Sequence, residues 1–179
     1  GGTRLTMDRR KPREVTLEGG RALFDVVHDD TRPFIVGVGE AILTDLGTVF
    51  DVTHLQNGAR VAVSEGSVRV DARGDTATLN PGDSVVASPR GLERRPVDIE
   101  AVDDWREGRL SWNGERLDVV AQDLARALNR PIRIAPALAG RSFSGSLNIG
   151  PDARDQRERI ALLLGVTVIE DGEGWRLEP

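Results

Sequence analysis

The chain holds two histidines, His28 and His54, and no cysteine. Imidazoles and thiolates are the side chains that most often move protons or bind transition metals near neutral pH. Without cysteine, disulfides, thiolate metal sites and a cysteine nucleophile are excluded. A cupin-like metal centre needs clustered histidines beside a glutamate. Here His28 precedes Asp29-Asp30 and His54 ends an apolar run, so both read as partly exposed loop residues. The pairs Asp29-Asp30 and Asp103-Asp104 lack the alternating aspartates of a calcium loop and read as solvated turns or helix caps. Gly37-Val38-Gly39 lacks the third glycine and the following helix of a dinucleotide site, and no serine elbow is present. Trp105, Trp112 and Trp175 fit packing better than stacking on bases or sugars. No catalytic constellation, metal or cofactor is implied by these residues.

The elements that must carry any function change character near residue 100. The 179 residues are 39% hydrophobic and 30% charged, a globular composition with net charge −5. That acidic balance argues against nucleic acid as a partner. No apolar run approaches the ~18 residues of a membrane span, so the chain as it stands is expected to be soluble and to make no membrane contact. Gly1-Gly2 reads as a cloning remnant.

Between 13 and 88 apolar residues recur with period two: Val15 and Leu17, then Ala22, Phe24 and Val26, then Phe34, Val36 and Val38, with Phe50, Val52, Val61, Val63, Val68 and Val70 continuing. Gly, Asn, Asp and Pro punctuate them at Gly19-Gly20, Asn57-Gly58, Arg73-Gly74 and Pro81-Gly82. This pattern predicts an all-β sandwich, roll or small barrel over 1–97. A linker follows over 98–108, with a short helix at 99–105.

From 109 the period becomes helical. A strand at 109–112 leads to a helix from Glu115, capped by Asn113, with Leu117, Val120, Ala121, Leu124 and Leu128 on one face. Strands follow at 132–134 and 141–149. A second helix begins at Pro151-Asp152, and a hairpin closes the chain. The order β-α-β-β-α-β predicts a small α+β module over 109–179.

Taken together, these strands resemble a known family. Leu17-Glu18-Gly19-Gly20-Arg21-Ala22-Leu23-Phe24-Asp25-Val26-Val27-His28-Asp29 is similar to the "LxGEAxFxVxHD" run of FecR-type anti-sigma regulators, with Gly20 where the family usually has Glu. Leu46-Gly47-Thr48-Val49-Phe50-Asp51-Val52 resembles "LGTxFxV", and Val61-Ala62-Val63-Ser64-Glu65-Gly66-Ser67-Val68-Arg69-Val70 resembles "VxVxEGxVxV". Leu79-Asn80-Pro81-Gly82-Asp83 and Trp105-Arg106-Glu107-Gly108-Arg109-Leu110 are similar to "LxPGE" and "WrxGxL". The order and spacing of these runs carry the resemblance.

The resemblance implies the periplasmic region of a single-span inner-membrane protein whose absent cytoplasmic part holds an extracytoplasmic-function sigma factor. The implied partner is the signalling domain of an outer-membrane TonB-dependent receptor, in iron or siderophore uptake. The second module resembles the short N-terminal domain of secretins and TonB-dependent receptors. Some family members cleave themselves at the Gly-Thr bond of "LGTxF". Gly47 and Thr48 are the matching residues, and a β-hydroxyl beside a strained glycine can make an N-to-O acyl shift. No base is evident near them in sequence. The competing reading is a cupin-like small-ligand-binding or metal enzyme domain.

Function therefore rests on surfaces, and 141–149 is the expected partner-binding strand. Phe143, Leu147 and Ile149 alternate with Ser142, Ser144, Ser146 and Asn148. Beyond Arg141 it has neither charge nor proline, the devices that guard a strand edge. If this strand is instead central, the edge falls to the closing hairpin, with Trp175 as anchor.

Overall fold

The computed structural model describes residues 2–179 except Asp30, Leu46, Glu100 and 150–152, and excludes the side chains of Ala153 and Arg154. The first residue of the "LGTxF" run, the second acid of Asp29-Asp30 and the expected helix start at Pro151-Asp152 lie outside the described residues. The chain separates into two compact units, 2–103 and 104–179.

The first unit is a sandwich. One sheet holds six strands: β1 (Arg4–Met7), β2 (Glu14–Gly19), β4 (Phe34–Val38), β5 (Ala41–Asp45), β8 (Val68–Ala72) and β9 (Asp75–Leu79), in that spatial order. The other runs β11 (Gly91–Pro96), β10 (Asp83–Ser88), β7 (Gly58–Glu65), β6 (Val49–Leu55) and β3 (Arg21–Asp25). Period-two patterning places alternate side chains on the shared inner face. Leu17, Val36, Leu43, Val70 and Leu79 from one sheet meet Phe50, Val52, Val61, Val63 and Val85 from the other, all fully buried. Phe24 stacks on Phe50 with ring centroids 5.2 Å apart.

The segment expected to be a helical linker behaves differently. Residues 101–103 form turns within the first unit, with Ala101 N–H donating to the Asp98 carbonyl and Val102 N–H to that of Ile99. Val102 is buried, and its carbonyl accepts from Arg21 Nη2 at 3.3 Å. The Arg21 guanidinium also pairs with the buried Asp51 at 2.8 Å. Apolar burial of Val102 and this arginine contact outweigh local helix formation. Among the described residues, the helical turn nearby is a 3-10 turn, Asp104–Glu107, in the second unit.

The second unit has the order β12 (Arg109–Arg116), α1 (Leu117–Ala127), β13 (Ile132–Ile134), β14 (Ser142–Asn148), α2 (Ala153–Leu164), β15 (Thr167–Asp171) and β16 (Gly174–Glu178). It ends on the expected hairpin, β15 antiparallel to β16. The strands of this unit do not form one sheet: β12 pairs with β14, and β13, β16 and β15 make a separate three-stranded sheet. Asn113 does not cap α1. The strand continues to Arg116 through an irregularity after Trp112, where Gly114 takes a φ of 65°. Such a bulge lets the ladder resume instead of ending at the polar pair. Leu117, Val120, Ala121 and Leu124 are buried as the spacing predicts, and Leu128 packs against the same core. Asn129 at φ 48° closes α1, and Gly165 at φ 59° follows α2.

Candidate functional site

Two places could carry function, one in each unit. The first is the turn around Gly47 and Thr48, where Gly47 has a φ of 91°, a conformation that L side chains rarely adopt. The carboxylate of Asp45, nearly inaccessible to solvent, accepts the Gly47 N–H at 3.1 Å through Oδ2. Thr48 is also buried, and its hydroxyl donates to the Ser67 carbonyl at 3.3 Å. The Gly47 N–H and the Thr48 hydroxyl, which flank the Gly47-Thr48 peptide, are thus both held just before β6 begins at Val49.

The ladder brings a third residue here. β3 runs antiparallel to β6 with Asp25 opposite Val49. Beyond the strand end the same register continues, because Val26 N–H donates to the Thr48 carbonyl at 3.0 Å. His28 therefore arrives beside Gly47. A β-carbon built on Gly47 would stand 2.6 Å from His28 Cβ and 2.7 Å from its Nδ1. The imidazole occupies the space a side chain would need. Sequence reading placed His28 in an exposed loop, and it is indeed exposed. Its neighbour was not readable, because β3 and β6 pair across more than twenty residues of intervening chain, which include the separate β4–β5 hairpin of the other sheet.

The loop after His28 is built by Asp29. Its Oδ1 accepts the N–H and hydroxyl of Thr31 at 3.1 and 2.7 Å, and Oδ2 accepts from Arg32 Nε at 3.0 Å. The Thr31 hydroxyl, then the Arg32 guanidinium, hold the Asp29 carboxyl down at about 2. Upstream, Arg13 Nη2 donates to the Val27 carbonyl at 3.2 Å.

The second place is β14. Its exposure alternates as predicted: Ser142, Ser144, Ser146 and Asn148 are exposed, Phe143 is half-buried and Leu147 is buried. Phe143 meets Trp112 edge-on at 5.8 Å. Among the described residues only β12 pairs with β14, so the strand is not central between β13 and the hairpin. Ile149 N–H donates to the Gly108 carbonyl at 2.7 Å, and Leu117 N–H donates to the Arg141 carbonyl at 2.8 Å. Antiparallel alternation then turns the backbone groups of Ser142, Ser144, Ser146 and Asn148 toward the other, outer edge.

Trp175 lies elsewhere. It is 3% exposed, sits in β16 between two paired strands, and carries the Arg130 guanidinium 5.1 Å above its ring. An anchor must be reachable, so Trp175 is interior and not a contact residue. Leu147 likewise contributes to the core under β14 rather than to a surface.

His54 is remote from this chemistry, in β6 opposite Ala59. Among the described residues, no three His, Asp or Glu side chains gather in a way that could hold a metal ion. No helix among them is long and apolar enough to cross a membrane.

Comparison with known proteins places these features. Residues 3–69 match the family model described as FecR protein, a stretch that includes His28, Gly47 and Thr48. Two crystal structures, at 1.65 and 2.50 Å, of a protein from Parabacteroides distasonis ATCC 8503 assigned by inference as an anti-sigma factor are similar in fold. Each is 25% identical with a TM-score of 0.79, covering 92% of this chain and 79% of its own. No curated protein matches. These similarities support an anti-sigma regulatory role for the chain.

Proposed function

We propose that this chain, of the FecR anti-sigma type, is the periplasmic sensor region of an inner-membrane regulator. In this reading it binds the signalling domain of an outer-membrane TonB-dependent receptor and passes the signal to an extracytoplasmic-function sigma factor. Iron or siderophore uptake is the process it would serve. The observation that supports the binding mode most directly is the unguarded outer edge of β14. The other edges of the second unit are protected. β12 carries Arg109 and Arg116 and is bent at Gly114, β15 ends on Glu170-Asp171, and β13 is only three residues long. β14 has seven residues with no charge and no proline. Open edges of this kind bind by strand addition, with main-chain hydrogen bonds supplying the affinity. The exposed serines fit a partner strand without steric exclusion.

The experiment is calorimetric titration of this chain with purified periplasmic signalling domains of TonB-dependent receptors from the same genome. Saturable binding to one of them supports the reading, and no binding to any of them overturns it.

We also propose that Gly47-Thr48 is a self-cleavage site. The left-handed glycine, the adjacent hydroxyl and the family resemblance of "LGTxF" support it. Intact-mass analysis tests it: two separate fragments, residues 1–47 and 48–179, are expected, and a single 19.4 kDa species stable for days contradicts it.

A further inference from the structure

We infer that His28 is the proton carrier for the rearrangement at the Gly47-Thr48 bond. This rests on the self-cleavage reading, which supplied a nucleophile and a left-handed glycine but no base.

The first support is position. The ring and Cβ of His28 fill the place of a missing side chain on Gly47, with Nδ1 2.7 Å and Cγ 2.8 Å from where a β-carbon would stand. Any residue other than glycine at 47 would displace the imidazole, so the glycine serves both the backbone conformation and the approach of the ring.

The second support is how the chain on either side of His28 is held. Val26 N–H bonds the carbonyl of Thr48 itself, Arg13 bonds the carbonyl of Val27, and the Asp29 turn fixes the chain on the far side. Thr48 lies one residue before β6, and its carbonyl bonds Val26 N–H, two residues before His28. The imidazole is also exposed, which lets it exchange protons with water.

The third support is the role of the neighbouring polar groups. Asp45 Oδ2 is engaged by the Gly47 N–H, on the upstream side of the bond, and orients the turn. Thr48 hydroxyl is the attacking group. An imidazole has one ring nitrogen that can take a proton and return it.

Thr48 Oγ leaves the Ser67 carbonyl and forms a bond to the Gly47 carbonyl carbon as His28 takes the hydroxyl proton. The C–N bond between Gly47 and Thr48 then breaks, and the proton passes from His28 to the departing Thr48 nitrogen. The product is an ester through the threonine oxygen with a free amine. Water hydrolyses that ester, leaving a carboxylate on Gly47 and restoring the hydroxyl.

The test is an intact-mass time course on the whole chain with wild type, Thr48→Ala, His28→Ala and His28→Gln. Far-UV circular dichroism confirms that each is folded, and His28→Gln keeps the turn filled if the alanine variant is unstable. We expect no cleavage in Thr48→Ala, and cleavage slowed about a hundredfold in both His28 variants. Added imidazole should restore part of the rate in His28→Ala. A folded His28→Ala or His28→Gln that cleaves at the wild-type rate overturns the role of His28 and leaves self-cleavage standing. A slowed His28→Ala that imidazole does not accelerate also overturns it, because the ring would then act by packing alone. A wild-type chain that never cleaves overturns both readings.

Discussion

Gly66 lies directly against the carbonyl of Gly47: a β-carbon on Gly66 would stand 2.0 Å from that oxygen. Gly66 has a φ of 71°, so two constraints coincide at one residue. The contact fixes the carbonyl that Thr48 must attack, and it ties the β7–β8 turn to the end of β5. Gly66→Ala must relieve both a left-handed conformation and a backbone collision, a loss of about 2–4 kcal/mol from the first unit. Gly74→Ala is the internal comparison, since Gly74 has a φ of 91° and open space around it. It should cost only the conformational part, about 1–2 kcal/mol. All three tryptophans belong to residues 104–179, so far-UV circular dichroism, not fluorescence, must follow this unfolding.

Tryptophan fluorescence instead reports the second unit, where Trp112 Nε1 donates to Asp123 Oδ2 at 2.9 Å. Asp123 is 4% exposed and also takes the Arg126 guanidinium. Trp112→Phe keeps most of the ring packing on Phe143 but removes one donor from a buried carboxylate. A destabilisation of about 1–3 kcal/mol is expected in urea unfolding followed through Trp105 and Trp175. An unchanged midpoint would mean that the hydrogen bond contributes nothing.

Asp29 supplies a pH signature for the loop that carries His28. Its folded carboxyl titrates at about 2, below the ordinary range near ~3.9. A depressed folded value means that the contribution to folding is complete above about pH 4 and is lost as the pH falls toward about 2. Carbon-detected NMR titration should find this value, and Thr31→Ala should raise it more than Arg32→Ala, because the threonine hydroxyl is the stronger cause. Equal shifts in the two variants would contradict that order.

Much of the fold is legible in the residues themselves. Alternation at Val61-Val63 and Val68-Val70, and helical spacing from Leu117 to Leu124, follow from side-chain geometry that needs no tertiary knowledge. Three features were hidden for physical reasons. Asn113-Gly114 carries helix-cap chemistry, but pairing with β14 rescues the strand through a bulge. The residues around Val102 look like a linker, yet burial and the Arg21 contact draw them into the first unit. His28 meets Gly47 only through a non-local strand register, which period-two patterning does not encode. The serine-rich alternation of β14 was readable, whereas its place at an edge required the topology.

The central claim is that the outer edge of β14 receives the receptor's signalling domain, and Ser146 is where it can be measured most directly. Its N–H faces the open edge, opposite a non-bonded pair with Ser111. Ser144 is less suitable, because its hydroxyl accepts the Gly114 N–H at 2.7 Å and supports the bulge. Ser146→Pro removes a donor from the edge while leaving the β12 ladder intact. Calorimetric titration of wild type and Ser146→Pro with the same signalling domain is the decisive measurement, with tryptophan fluorescence confirming the fold. The account predicts that the variant stays folded and loses at least about tenfold in affinity, the equivalent of ~1.4 kcal/mol. A folded variant that binds as tightly as wild type would contradict it.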